Sequence, residues 1–262
     1  MPAAGHVDYI RKDIKEAKDG TRLVIVSDHH YPFIDERTWG AVRRFIDDFQ
    51  PNAMIWNGDI GDFYNVSSFD KNPARGFALK DEVRELRNFL FQHRQRWPDT
   101  EHYYIKGNHE ERLETYIKRN PELEGLVSLE AILHLKDMEF VVLPYGGVLN
   151  YLGFAITHGT RVSSLPNGTA RAHAVPPGGI GGSGVVGHSH RRGMWVWTDM
   201  HGTHTFFESG CLCRLDPDYI RQRPPNWQWG FMAATVYRQK LHLDQVAIYD
   251  DGFAVQGEFY RR

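Results

Sequence analysis

Cysteine is almost missing from this chain. Its 262 residues hold two, Cys211 and Cys213, in the run CLC. A one-residue gap strains a mutual disulfide, and a two-cysteine structural zinc site needs two more ligands nearby. The expectation is a pair of reduced, buried thiols on one face of a strand. Long apolar runs are missing too. None approaches the ~20 residues that carry a helix across a bilayer, so no membrane partner is expected. The N-terminal stretch MPAAGHVDYIRKDIKEAKDG has no apolar signal core, and the expected location is cytoplasmic. Nor does one sign of charge dominate: 31 Lys and Arg against 33 Asp and Glu leave −2, which offers no general attraction to polyanions. What remains is ordinary globular composition, 41% hydrophobic and 24% charged. That is enough chain for one large domain, expected to span residues 1–262.

Apolar runs alternate with helix-period segments, the pattern of an α/β protein. RLVIVS (22–27), AMIWN (53–57) and HYYIK (102–106) read as buried strands. Between them, Val42, Phe45, Ile46 and Phe49 mark one face of a helix, and Leu79, Val83, Leu86 and Leu90 mark a second. Helical sequence resumes at Glu110 and again over Leu129 to Leu135. Beyond about residue 139 short strands dominate, with hairpin-like breaks at Tyr151-Leu152-Gly153 and Asp250-Asp251-Gly252. The Pro/Gly stretch VPPGGIGGSG (175–184) reads as a surface loop. No internal repeat is visible, and the two halves are expected to supply two packed sheets. Trp195 and Trp197, and likewise Trp227 and Trp229, are spaced by two, which on a strand puts each pair on one face, for packing rather than base stacking.

The polar residues collect at strand ends. RLVIVS runs into Asp28-His29-His30, AMIWN into Gly58-Asp59-Ile60-Gly61-Asp62, and HYYIK into Gly107-Asn108-His109-Glu110. FAIT (154–157) runs into His158-Gly159, and GVVG (184–187) into His188-Ser189-His190. In open α/β sheets, ligands bind beyond the carboxyl ends of the strands. Imidazole, carboxylate and amide oxygen together suit divalent zinc, manganese, iron or magnesium. None of these turns contains cysteine, which argues against a closed structural zinc site. Asp28, His30, Asp59, Asn108, His158, His188 and His190 are too many for one ion and suit two that share a carboxylate. Two ions ~3.5–4 Å apart form the clamp used for displacement at phosphorus.

These motifs, DxH, GDxxD, GNHE, HG and GHxH in that order over residues 28–190, resemble the calcineurin-like metallophosphoesterase superfamily. The C-terminal β-rich part, 191–257, looks like that of phage and bacterial members. The resemblance implies two packed mixed β-sheets flanked by helices, an α/β/β/α arrangement. It implies phosphate mono- or diester hydrolysis by attack of a metal-bound hydroxide, with a phosphate-ester substrate that extends to nucleotides or nucleic acid. Two divalent ions are implied, manganese favoured over iron, zinc and magnesium. Asp28, His30 and His190 would hold the first, and Asn108, His158 and His188 the second. Asp59 would bridge them. His109 would approach the scissile phosphate, oriented by Asp62. Glu110 would begin a helix, its carboxylate suiting the N-terminal dipole. One departure stands out. Serine/threonine phosphatases of the superfamily carry Arg-Gly straight after the second aspartate, whereas Phe63 and Tyr64 stand here. Arg161, Arg171 and His173 are the candidates to contact substrate in its place, with Arg191 and Arg192 nearby. Two other functions stay open, a nuclease acting on DNA or RNA and a non-catalytic scaffold on the same fold, as does the oligomeric state.

Overall fold

The computed structural model describes residues 11–67, 78–123, 125–175, 179–216 and 225–262. Strands β1 (Arg11–Ile14) and β2 (Arg22–Val26) precede helix α1 (Glu36–Phe49). Then come β3 (Ala53–Asn57), α2 (Leu79–Arg96), β4 (Glu101–Ile105), α3 (Asn108–Arg119) and the short α4 (Leu129–Ile132). Strands β5 (Val141–Leu143), β6 (Val148–Tyr151) and β7 (Phe154–Thr157) lead to α5 (Gly168–Ala174). The chain closes with β8 (Ser183–Val186), β9 (Arg192–Asp199), β10 (Gly202–Ser209), β11 (Gly230–Tyr237), β12 (Lys240–Ala247), β13 (Gly252–Val255) and β14 (Glu258–Arg261).

Two six-stranded mixed sheets pack face to face, flanked by helices. One has the order β12-β11-β2-β3-β4-β5 and the other β1-β6-β7-β8-β10-β9. Strands β2 to β5 run parallel, and β11 adds antiparallel to β2. Alternation of side chains explains the layers. Leu23, Ile25, Ala53, Ile55, Tyr103 and Ile105 point from the first sheet to Leu149, Ile156 and Val185 of the second. The intervening Val24, Val26, Met54, Trp56 and Tyr104 point the other way, onto Val42, Phe45, Ile46, Leu86 and Leu90 of α1 and α2. The outer face of the second sheet is covered by α5, where Ala170 and Ala174 meet Val186 and Phe206. Both faces of β2 to β4 are therefore buried, which is why their sequences read as unbroken apolar runs.

Helix α1 begins where the Asp35 carboxylate accepts from Thr38 N at 2.8 Å, a side-chain N-cap. Arg262 donates to the same Asp35 at 2.9 Å and to Thr38 Oγ1 at 2.8 Å, which ties the end of β14 to the start of α1.

Several expectations need correction. At Asp250-Asp251-Gly252 the expected tight turn is present, Tyr249 and Gly252 exchanging backbone hydrogen bonds at 2.9 and 3.2 Å, but the strand it leads into, β13, pairs along its length with β14 and not with β12. Trp227 and Trp229 precede β11 and do not share a strand face. Trp227 packs on His190 with ring centroids 4.2 Å apart, while Trp229 Nε1 donates to Cys213 O at 2.8 Å. Cys211 and Cys213 are buried and free, but each sits at an isolated bridge, to Trp229 and Ile34, and not in a strand. Part of the Pro/Gly stretch, 176–178, lies outside the described residues. No helix among the described residues is long and apolar enough to cross a membrane.

Candidate metal centre

The parallel strands deliver their polar turns to one end of the sheet. The turns are laced together by backbone: Asp28 N donates to Gly58 O at 3.0 Å and His30 N to Asp59 O at 2.9 Å. Asp28, His30, Asp59, His188 and His190 all adopt positive φ, between 49° and 66°. Non-glycine residues there cost of order 1–3 kcal/mol each and cluster at functional sites. Glycine supplies the close approaches. A Cβ on Gly107 would lie 2.1 Å from Asp59 Oδ1, so only glycine lets that carboxylate sit against the start of α3.

The turns bring all seven candidate ligands together. Single ligand atoms of Asp28, His30, Asp59 and His190 lie within 4.8 Å of one another, as do those of Asp59, His158 and His188. Asn108 Oδ1 is 3.3 Å from His158 Nε2, which is itself 3.3 Å from Asp59 Oδ2. Asp59 belongs to both sets. The donors fit divalent ions in detail. His158 Nδ1 is 2.8 Å from the Asn57 carbonyl and His30 Nδ1 is 3.1 Å from Asp62 Oδ1. Each Nδ1–H donates outward, which leaves an Nε2 lone pair aimed inward, the orientation that metal-bound histidines use. Asp28 Oδ2 accepts from Ser27 Oγ and from His188 N, whereas buried Asp28 Oδ1 accepts no hydrogen bond although His190 Nε2 lies 3.1 Å away.

Electrostatics agree with a cation site. Burial opposes charge on His158, yet Asp59 and Asp28 push its pKa up to about 9. Burial likewise opposes charge on Asp28, but neighbouring His190 holds its carboxyl down at about 2. His188 is pushed down to about 4 by burial and by His158, so it is neutral and ready to ligate near pH 7. The folded value of His158 lies above the ordinary 6.5. Its protonation therefore stabilises the metal-stripped chain fully below pH 6.5, a contribution lost as pH rises through about 9. Metal affinity runs the opposite way, rising with pH up to about 9, because an ion needs the neutral imidazole. Zinc added at pH 7 to stripped protein in weak buffer is expected to release protons, measured with an indicator dye. Binding without proton release would contradict this assignment.

Glu110 does more than begin α3. Its fully buried carboxylate accepts from Asp59 N at 3.0 Å, Ile60 N at 2.9 Å, Gly61 N at 3.2 Å, Gly107 N at 2.8 Å and Tyr104 OH at 2.8 Å. It clamps the turn that carries Asp59. Glu110→Ala would strand these donors, each worth ~1–3 kcal/mol when buried without a partner. A net loss of at least ~3 kcal/mol is expected in urea unfolding, together with weaker metal uptake.

His109 stands beside the centre. Its Nδ1 is 2.7 Å from the Asp62 carbonyl and its Nε2 is 3.8 Å from Asp59 Oδ2. The Asp62 carboxylate is shared, 3.1 Å from His30 Nδ1 and 3.2 Å from His109 Nδ1. Burial opposes its charge, but hydrogen bonds from His109 and His30 hold it well below the usual carboxylate range. His29 turns away from the site, fully buried against Trp39, and burial pushes it down to about 3.

Of the residues expected to contact substrate, His173 is buried with both ring nitrogens engaged, at 2.9 Å from Thr169 O and 3.2 Å from Thr160 N. Arg161 is exposed, and Arg171 lies over the Trp195 ring at 5.2 Å. The sequence reading missed Arg112, whose Nη1 donates to the Asp62 carbonyl at 3.2 Å and lies 2.9 Å from His109 Nδ1. Its signal was helical spacing: it falls one turn after Asn108 and His109. Asn108, Glu111, Arg112, Thr115, Tyr116 and Arg119 line a cavity of about 220 Å³ along α3. Cys213 was missed as well. Its thiol lies among His30 and His190, each offering a ligand atom within 4.8 Å of the others.

The fold and this cluster match a known class. The calcineurin-like phosphoesterase family pattern matches residues 21–192, and the chain belongs to that family. It is 29% identical over 255 residues to the Gene 54 protein of Mycobacterium phage L5, covering 91% of this chain and 98% of that protein. The Gene 54 protein of Mycobacterium phage D29 is 28% identical over the same coverage. Similar solved structures include Vacuolar Protein Sorting 29 from Cryptosporidium parvum, at 14% identity and TM-score 0.48 over 94% of this chain and all (100%) of that one. A dimetal phosphatase from Danio rerio is similar at 13% identity and TM-score 0.42, over 87% of this chain and 96% of that one.

Proposed function

We propose that the chain is a dinuclear metal-dependent phosphoesterase that hydrolyses phosphate mono- or diesters, within one domain spanning residues 1–262. The observation that carries this is the pair of overlapping ligand sets, with Asp59 common to both and His109 poised outside them. Asp28, His30 and His190 would hold one ion and Asn108, His158 and His188 the other, with Asp59 shared between the two sets. Two bound ions supply Lewis-acid charge to the phosphoryl oxygens and lower the pKa of the attacking water.

The chain's own residues do the rest. His109, held through Nδ1 by the Asp62 carbonyl, presents Nε2 toward the centre. From there it is placed to act as general acid, giving a proton to the departing ester oxygen. Arg112 also donates to the Asp62 carbonyl, with its Nη1 beside His109 Nδ1, and would place a cation near the phosphoryl position, where Phe63 offers none. The cavity along α3 adjoins Asn108 and gives room for a second ester arm, which favours diesters, nucleotides among them. Exposed Tyr116 and the two arginines of that cavity also favour a nuclease reading, which predicts DNA or RNA affinity that falls steeply with salt. Oxygen and imidazole donors suit manganese, iron, zinc or magnesium.

The test is paired hydrolysis of para-nitrophenyl phosphate and its bis ester, with manganese and with chelator. Chelator-sensitive cleavage of the bis ester supports a diesterase, and cleavage of the monoester alone a phosphatase. Metal-loaded protein that cleaves neither contradicts the proposal.

A further inference from the structure

The cysteine pair has an unequal placement. Cys211 Sγ donates to the Gln228 carbonyl at 3.6 Å, a weak but satisfying contact. Cys213 is 3% exposed and its thiol shares a buried cluster with His30 and His190, one ligand atom of each within 4.8 Å of the others. Those two histidines also form a set with Asp28 and Asp59. The position is fixed by backbone and not by a flexible loop. Leu212 N and Cys213 N both donate to Asp28 O at 3.1 Å, Arg214 N donates to Phe33 O at 2.9 Å, and Trp229 Nε1 holds Cys213 O at 2.8 Å. The segment carrying the thiol is thus stapled to the same turn that carries Asp28 and His30.

We propose that Cys213 Sγ is a ligand of the first metal position, alongside His30 and His190. This rests on the metal centre argued above and goes beyond its family pattern, whose matched residues end at 192. Binding is a simple exchange: the ion forms a bond to sulfur, the S–H bond breaks, and the proton leaves to solvent. A thiolate is a soft donor that favours zinc or iron(II) over manganese or magnesium. The two positions then differ in chemistry: the first has sulfur, imidazole and carboxylate, and the second has imidazole, carboxylate and amide oxygen. The first position is expected to retain zinc or iron through purification, while the second exchanges with added manganese.

The test loads stripped full-length protein with cobalt(II), counts bound ions by elemental analysis and records the near-ultraviolet spectrum. Two ions with a sulfur-to-cobalt charge-transfer band are expected. Cys213→Ser should remove the band, and Cys211→Ser should keep it. X-ray absorption of zinc-loaded wild-type protein needs no variant and should show a sulfur scatterer near ~2.3 Å, beyond the nitrogen and oxygen shell at ~2.0–2.2 Å. Two bound cobalt ions with no charge-transfer band, or zinc with nitrogen and oxygen alone, would overturn the thiolate ligand and leave the metal centre standing. A chain that takes up neither metal would overturn both.

Discussion

Asp59→Asn is expected to lose both bound ions and, with them, esterase activity by ~10³-fold or more. The substitution changes almost no volume, so the loss isolates charge. Asp59 is 1% exposed and is the residue common to both ligand sets. Its Oδ2 lies 3.3 Å from His158 Nε2 and 3.8 Å from the Nε2 atoms of both His30 and His109. Its Oδ1 accepts from His109 N at 2.9 Å, a bond the asparagine oxygen can keep. Two divalent ions side by side would repel each other, and a carboxylate shared between them is the anion that would offset this. With an amide at position 59 the second position would keep only neutral imidazole and amide donors and no anion would lie between the two positions, so a pair of ions would not be held. Elemental analysis after dialysis reads the occupancy. Two retained ions would contradict the bridging role.

His109→Ala is expected to behave differently, with kcat falling by ~10²–10⁴, the range of a lost general acid, while two ions remain bound. The distinction follows from geometry. The His109 ring is fixed by the Asp62 carbonyl at 2.7 Å and belongs to a group with His30 and Asp62, outside the two sets that share Asp59. The deficit should grow as the leaving group becomes more basic. An alkyl ester needs a proton on departure far more than a nitrophenyl ester does. Comparing the two substrates reads this directly. Loss of metal in the variant, or an equal deficit on both esters, would contradict the acid role.

Much of this was legible in the sequence because the central strands β2 to β4 are parallel and buried on both faces. They therefore stood out as apolar runs, and whatever followed them had to gather at one end. RLVIVS, AMIWN and HYYIK announced β2, β3 and β4, and the turns after them brought Asp28, Asp59 and Asn108 into one place. Family membership and the two flanked sheets followed from the same motifs. The parts that were not legible depend on distant chain segments. Cys213 reaches His30 and His190 through two hydrogen bonds to Asp28 O and a single bridge to Ile34, with no strand periodicity to betray it. Trp227 meets His190 from an irregular segment. Strands β1 and β14 are short and mostly exposed, so they lack an apolar pattern. Glu110 looked like a helix start and is that, but its grip on the Asp59 turn needs the third dimension.

The most direct measurement titrates metal-stripped protein with manganese while counting bound ions and following cleavage of bis-para-nitrophenyl phosphate. The account predicts that two ions bind per chain, that the rate rises as the pair fills and then saturates, and that chelator reverses it. Two bound ions with no cleavage of this ester or of its monoester would contradict it.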